Sequence, residues 1–285
     1  MKIRIRYALA LITALALLLS ACGAGEVDIT MTPAPAETPA KEQEPAPAQS
    51  PEPREMVRIV DIIPNIFTDA RYASAHNFTG KAIYGSDEVY LRYSTAEKLA
   101  RVQERLNALG YSLCVWDGWR PVAAQFALWR AVPDARYVAD PFNGVSGHCR
   151  GNTVDITLVT LDGEPVDMPT DFDDFTARAD RDYSDVSAEA AGNARLLERE
   201  MVSEGFKPYS AEWWHYTDSD EYEVCESLTP LEQVDITIET PLRSEPDPSA
   251  GTLGSAAAGE SVSVLDRLDG WLLVRASAGY GYIEA

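Results

Sequence analysis

Two short stretches hold the residues best suited to chemistry. The first, Ser146-Gly147-His148-Cys149-Arg150-Gly151-Asn152-Thr153-Val154-Asp155, places an imidazole and a carboxylate seven residues apart. The second, Glu212-Trp213-Trp214-His215-Tyr216, adds another imidazole and another carboxylate. Two histidines and one aspartate make a three-ligand set for Zn²⁺, with a fourth position open to water. The spare glutamate can take that water's proton, which completes what a zinc hydrolase needs. The chain holds three histidines, and the third, His76, reads as a surface residue. Taken singly, each group has a plainer reading: a hydrogen-bonded core imidazole, an aspartate capping a turn, a solvated glutamate. Cys149 directly follows the first imidazole, but strand neighbours point to opposite faces, which sets its thiol apart from the ligands.

Periodicity shows the elements that must position these groups. Val154, Ile156 and Leu158 alternate with Thr153, Asp155 and Thr157, a strand with Asp155 on its polar face. His148 lies in the loop before that strand and must fold back towards it. His215 must arrive on a separate strand. In a regular strand Glu212 and His215 would face opposite ways, so Glu212 either precedes the strand or sits at a bulge. Upstream, residues 57–62 alternate as a strand. Ser94 with Glu97 reads as a capping box, opening a helix whose Leu99, Val102, Leu106 and Leu109 keep helical spacing up to Gly110. Residues 111–116 read as a buried strand. The turn Asp117-Gly118-Trp119-Arg120-Pro121 then leads into a helix over about 122–131. A further helix covers roughly 187–204, stopped by Gly205. Residues 56–228 therefore read as one mixed α+β unit.

The amino terminus reads as a targeting segment. Lys2, Arg4 and Arg6 precede an apolar run over 8–19, too short to span a bilayer as a mature helix. Leu19-Ser20-Ala21-Cys22 resembles the lipobox of bacterial lipoprotein signal peptides. That implies a signal peptide over 1–22, with lipid on Cys22 anchoring the protein to the outer face of the cytoplasmic membrane. An ordinary secretory signal is the other reading, and either exports the protein. Residues 23–55 are rich in Pro, Ala and Glu and cannot bury enough apolar surface to offset their ordering entropy, so they read as a disordered tether. With Cys22 lipidated, Cys114, Cys149 and Cys225 remain, an odd number that cannot all pair within one chain.

Residues 234–285 differ in texture. Short alternating runs such as 261–265 and 271–275 are separated by glycine turns, the pattern of a small all-β barrel. The unit resembles bacterial SH3-like domains, often found on cell-wall enzymes, which implies peptidoglycan as a partner. The net charge of −21 and the lack of a basic stretch argue against nucleic acid.

The chemical stretches also resemble a family, the D-alanyl-D-alanine dipeptidases (VanX family). The larger peptidase family carries Ser-x-His-x-x-Gly-x-Ala-x-Asp, present here as Ser146, His148, Gly151 and Asp155, with Thr153 in place of Ala. Glu212-Trp213-Trp214-His215-Tyr216 matches the dipeptidases' second signature throughout. Asn77-Phe78-Thr79-Gly80-Lys81 and Trp116-Asp117-Gly118-Trp119-Arg120-Pro121 are similar too, with Trp119 where Tyr is common. The resemblance implies a mixed antiparallel-sheet zinc peptidase fold of the hedgehog/DD-peptidase type. It implies one Zn²⁺ on His148, Asp155 and His215, Glu212 as general base, and Arg120 stabilising the oxyanion. It further implies Asp173 on the substrate's ammonium group and a substrate contact from Ser146. The family often has Ser before the first ligand, where Gly147 stands here. Tyr72 receives no role. The implied reaction is hydrolysis of D-Ala-D-Ala or related short wall peptides. A peptidoglycan D,D-carboxypeptidase or endopeptidase of the same larger family suits an exported protein with an SH3-like unit. A non-catalytic wall-binding lipoprotein is the third reading.

Overall fold

In the computed structural model, which describes residues 50–285, β1 (Met56–Arg58) runs into one helical turn, α1 (Ile59–Ile62). The signal segment, Cys22 and all but the end of the tether lie outside the described residues. β2 (Phe67–Thr68) and β3 (Tyr90–Arg92) flank a long turn-rich passage. Then come α2 (Tyr93–Ala108), β4 (Tyr111–Asp117), α3 (Val122–Ala131), β5 (Thr153–Thr160), α4 (Ala188–Ser203), β6 (Phe206–Pro208) and β7 (His215–Asp218). The central sheet runs β2-β4-β5-β7-β6, parallel at β2–β4 and antiparallel elsewhere. This is the mixed α+β architecture expected.

Two local expectations are corrected. The strand expected over 57–62 breaks after Arg58, because Ile59 and Ile63, one helical turn apart, both enter the core. The capping box at Ser94 does not form. α2 begins at Tyr93, and its first amides are satisfied by backbone: Tyr93 donates to the Glu55 carbonyl (2.8 Å) and Ser94 to the Pro53 carbonyl (3.1 Å). With those orphan donors filled, the Ser94 hydroxyl is free to pair with that of Tyr222. The carbonyls doing the capping lie in the stretch read as tether. β5 is buried on both faces, so its polar residues look into the protein rather than out to water.

The remaining strands are β8 (Glu232–Asp235), β9 (Thr240–Arg243), β10 (Thr252–Ala256), β11 (Ser261–Leu268), β12 (Trp271–Ala276) and β13 (Gly279–Glu284), one sheet in the order β10-β9-β13-β12-β11-β8. The sheet has its own core around Val262, Val274 and Ile283. It also packs on the back of α3. Val122, Phe126 and Cys149 from the first unit meet Leu273 and Tyr282 from the second in one buried cluster. The Tyr282 hydroxyl accepts from Arg130 (2.6 Å), and the Tyr280 hydroxyl donates to Glu226 (2.8 Å). Burying a side chain the size of Phe126 contributes about 1.5–3 kcal/mol, so the two units are firmly joined.

Candidate active site

Sheet register builds the site. Across β4, β5 and β7, Asp117 pairs with Asp155 and Asp155 with His215. Residues directly opposite on antiparallel neighbours share a face, so these three side chains form one row. An irregularity in β4 between Val115 and Asp117 brings Asp117 into it. His148 comes from a 3₁₀ turn, Gly147–Arg150, just ahead of β5. The Ser146 hydroxyl caps that turn, accepting from the His148 amide (3.3 Å). Gly151 ends it in the left-handed region (φ 76°), a conformation that favours glycine.

The three expected ligands converge. His148 Nε2 lies 3.2 Å from Asp155 Oδ2, and His215 Nδ1 lies 3.0 Å from Asp155 Oδ1. One ligand atom from each falls within 4.8 Å of the others. His148 Nδ1 sits 2.7 Å from the Gly118 carbonyl, which can only accept. Neutral His148 therefore carries its proton on Nδ1 and turns a lone pair on Nε2 towards the carboxylate. Two lone pairs that close need a cation. Asp155 Oδ1 is buried without a hydrogen-bond partner among the described residues, which leaves it free to ligate. Burial disfavours charge on both groups. Even so, Asp155 and Asp117 raise the His148 pKa, and His148 and His215 hold the Asp155 carboxyl far below the usual range. Two imidazole nitrogens and one carboxylate oxygen are donors that suit a divalent metal such as zinc. Cys149 stays outside the cluster, fully buried against Val122 and Phe126.

Glu212 lies before the strand proper, the first of the two geometries its spacing allowed. A turn in which the His215 amide donates to the Glu212 carbonyl (3.3 Å) brings Glu212 Oε2 to 3.5 Å from His215 Nδ1. Burial raises its pKa against the pull of His215. Arg120 makes the plain salt bridge to Asp117 (Nη2–Oδ2 2.7 Å) and lines the cavity as well. Its Nε also bonds Asp117, and its Nη1 donates to Gln125 (2.8 Å). About two of its five N–H donors remain for a ligand. The Asp117 carboxylate is held in turn by the Tyr84 hydroxyl (2.7 Å).

Asp173 is placed less directly. It is partly buried and does not line the cavity; Tyr72 does, and the Tyr72 hydroxyl donates to Asp173 Oδ2 (2.9 Å). Burial pushes the Asp173 carboxyl up to about 8, against the Tyr72 hydrogen bond, with the Asp155 charge adding to the rise. His76 is exposed, as expected. Sequence reasoning missed Tyr72, Gln125 and Arg136. It also missed Tyr209, whose ring packs on His215 with centroids 5.6 Å apart. The cavity holds about 350 Å³. The two departures at 147 and 153 prove to be one. A Cβ on Gly147 would lie 2.5 Å from Thr153 Oγ1, so the threonine hydroxyl fills the space a larger residue would need.

Residues 52–233 match the M15 peptidase family model, described as D-Ala-D-Ala dipeptidase, and residues 239–285 match the bacterial SH3 domain model. The chain is similar to the D-alanyl-D-alanine dipeptidase of Escherichia coli (strain K12), 36% identical over 162 residues that span 57% of this chain and 83% of that one. It is 34% identical over 181 residues to the D-alanyl-D-alanine dipeptidase of Enterococcus faecium, spanning 56% of this chain and 90% of that one. The protein of the same name from Streptomyces coelicolor (strain ATCC BAA-471 / A3(2) / M145) is 35% identical over 181 residues, with the same coverage of 56% and 90%. With the family's model matched across the whole unit that carries the site, this chain belongs to the M15 peptidases and bears a bacterial SH3 domain after its peptidase fold.

Proposed function

We propose that this protein is a zinc-dependent dipeptidase that cleaves D-Ala-D-Ala to two D-alanines. The convergence of His148, Asp155 and His215 beside Glu212 and Arg120 carries the reading. His148 Nε2, an Asp155 oxygen and His215 Nδ1 would hold the ion. Zinc there supplies Lewis acidity, polarising the scissile carbonyl and making water a nucleophile near neutral pH. Glu212 takes the attacking water's proton and passes it to the leaving amine, a role that suits a carboxyl whose pKa burial has raised. Arg120, held rigid by Asp117 and Gln125, offers its remaining donors to the developing oxyanion. Asp173, once ionised, pairs the substrate ammonium beside Tyr72. Ser146 stands on the cavity wall next to the ligands. A space of about 350 Å³ is at the small end for ligand pockets and favours a short substrate.

The lipobox-like Leu19-Ser20-Ala21-Cys22 supports export and lipid anchoring, and the SH3 domain supports contact with peptidoglycan. In that setting the substrate is dipeptide shed during wall turnover rather than a cytosolic pool. The test is substrate length. Purified protein should hydrolyse D-Ala-D-Ala and leave N-acetyl-D-Ala-D-Ala and stem pentapeptides nearly untouched, with discrimination of up to roughly 10⁴-fold. Acylated stem peptides trimmed as fast as the dipeptide would replace this reading with a D,D-carboxypeptidase.

A further inference from the structure

Among the described residues lining the cavity, only Arg120 and Arg136 carry a fixed positive charge. Arg120 is committed to Asp117 and Gln125. Arg136 is not. Its side chain is 75% exposed, and its partner is Asp134, two residues away on the same turn. An exposed pair of that kind is screened by solvent and weak, so a ligand carboxylate can displace Asp134 at little cost.

The turn that carries Arg136 is firmly held. The Tyr137 and Val138 amides both donate to the Asp134 carbonyl (3.0 Å each), and Val138 is buried in the core. Gln125, fully buried, donates to the Ala139 carbonyl at 2.6 Å while its own oxygen accepts from Arg120. One glutamine thus fixes both the inner arginine and the turn bearing the outer one. Tyr137 packs on Phe175, centroids 4.5 Å apart, two residues beyond Asp173. The segment bearing the Arg136 cation therefore packs on the segment bearing Asp173, a carboxyl that ionises against an ammonium. A zwitterion matches that pair of charges, its ammonium towards Asp173 and its carboxylate towards Arg136.

We infer that Arg136 receives the substrate's C-terminal carboxylate and restricts the enzyme to peptides with a free carboxyl end. The inference rests on the dipeptidase reading and adds the group that recognises the acidic end. The test compares kcat and KM for D-Ala-D-Ala and for its C-terminal amide, in wild type, R136A, R136K and D134N. A charge-assisted hydrogen bond to a carboxylate gives about a tenfold or greater preference for the acid in the wild type. R136A should raise KM for the acid about tenfold, leave kcat within about twofold, and leave the amide unchanged. R136K should restore part of the loss, and D134N should lower KM for the acid by removing the rival carboxylate. Because Arg136 is exposed, circular dichroism should show every variant folded. An unchanged acid-over-amide ratio in R136A overturns the inference. So does equal cleavage of acid and amide by the wild type, which leaves the dipeptidase reading standing. Cleavage of neither compound removes both.

Discussion

Asp173→Asn should make the protein more stable and less active, and the gain in stability should grow with pH. The Asp173 carboxyl has a pKa of about 8 in the fold against 3.8 when unperturbed. A raised carboxyl pKa means the native state holds the proton that the unfolded chain has lost. The sign follows: this group's contribution is fully present below about pH 4 and drains away as pH rises towards 8, at up to about 1.4 kcal/mol per pH unit. Between about pH 5 and pH 7 that is at most about 2.7 kcal/mol, and solvent contact of the partly buried carboxyl reduces it to roughly 1–2 kcal/mol. Asparagine keeps an acceptor for the Tyr72 hydroxyl and suits the left-handed backbone there (φ 56°). The variant removes the titration and little else. Urea unfolding of both proteins at a series of pH values, with chelator present throughout, measures the difference. It should widen with pH in favour of the asparagine variant, while kcat/KM on D-Ala-D-Ala falls about 10²-fold for want of the ammonium partner. A stability difference flat from about pH 5 to pH 7 would show that Asp173 is ionised in the fold, and the reasoning from burial would fail.

Other outcomes follow from the same geometry. Gly147→Ser should destabilise the protein by about 1–3 kcal/mol through its clash with Thr153 Oγ1, and adding Thr153→Ala should restore most of the loss; additive effects in thermal melts of the four proteins would refute the coupling. Glu212→Ala should keep its metal yet lose about 10²–10⁴-fold in turnover, which single-turnover kinetics on the dipeptide will show. Phe126→Ala should cost about 3–5 kcal/mol, with both units still unfolding in one transition, because Phe126 is fully buried where they meet. Calorimetry showing two separate transitions in the wild type would contradict that joint.

The convergence of the candidate ligands was legible because their chemistry lies in residue type. Few side chains do what His148, Asp155 and His215 do, and the spacing on a strand limits where they point. Glu212 was half legible: its spacing posed a geometric question, and a turn ahead of β7 answered it. Gln125 and Arg136 were not legible, since a glutamine on a helix and an arginine on a loop are ordinary until the fold sets Gln125 against Arg120 and brings Arg136 to the cavity wall. The capping box at Ser94 misled because residues far outside the motif, Pro53 and Glu55, supply the carbonyls that make it unnecessary. The docking of the SH3 domain left no mark in the sequence either. Its contact surface is built from Val122, Phe126, Leu273 and Tyr282, and apolar residues do not announce which core they join.

The metal content of the purified protein and of its His148→Ala variant tests the central claim most directly. Elemental analysis should find one zinc per chain in the wild type and almost none in the variant, with the variant still folded by circular dichroism. Full zinc occupancy in His148→Ala, or a wild-type protein that hydrolyses D-Ala-D-Ala at full rate after its metal has been stripped, would contradict it.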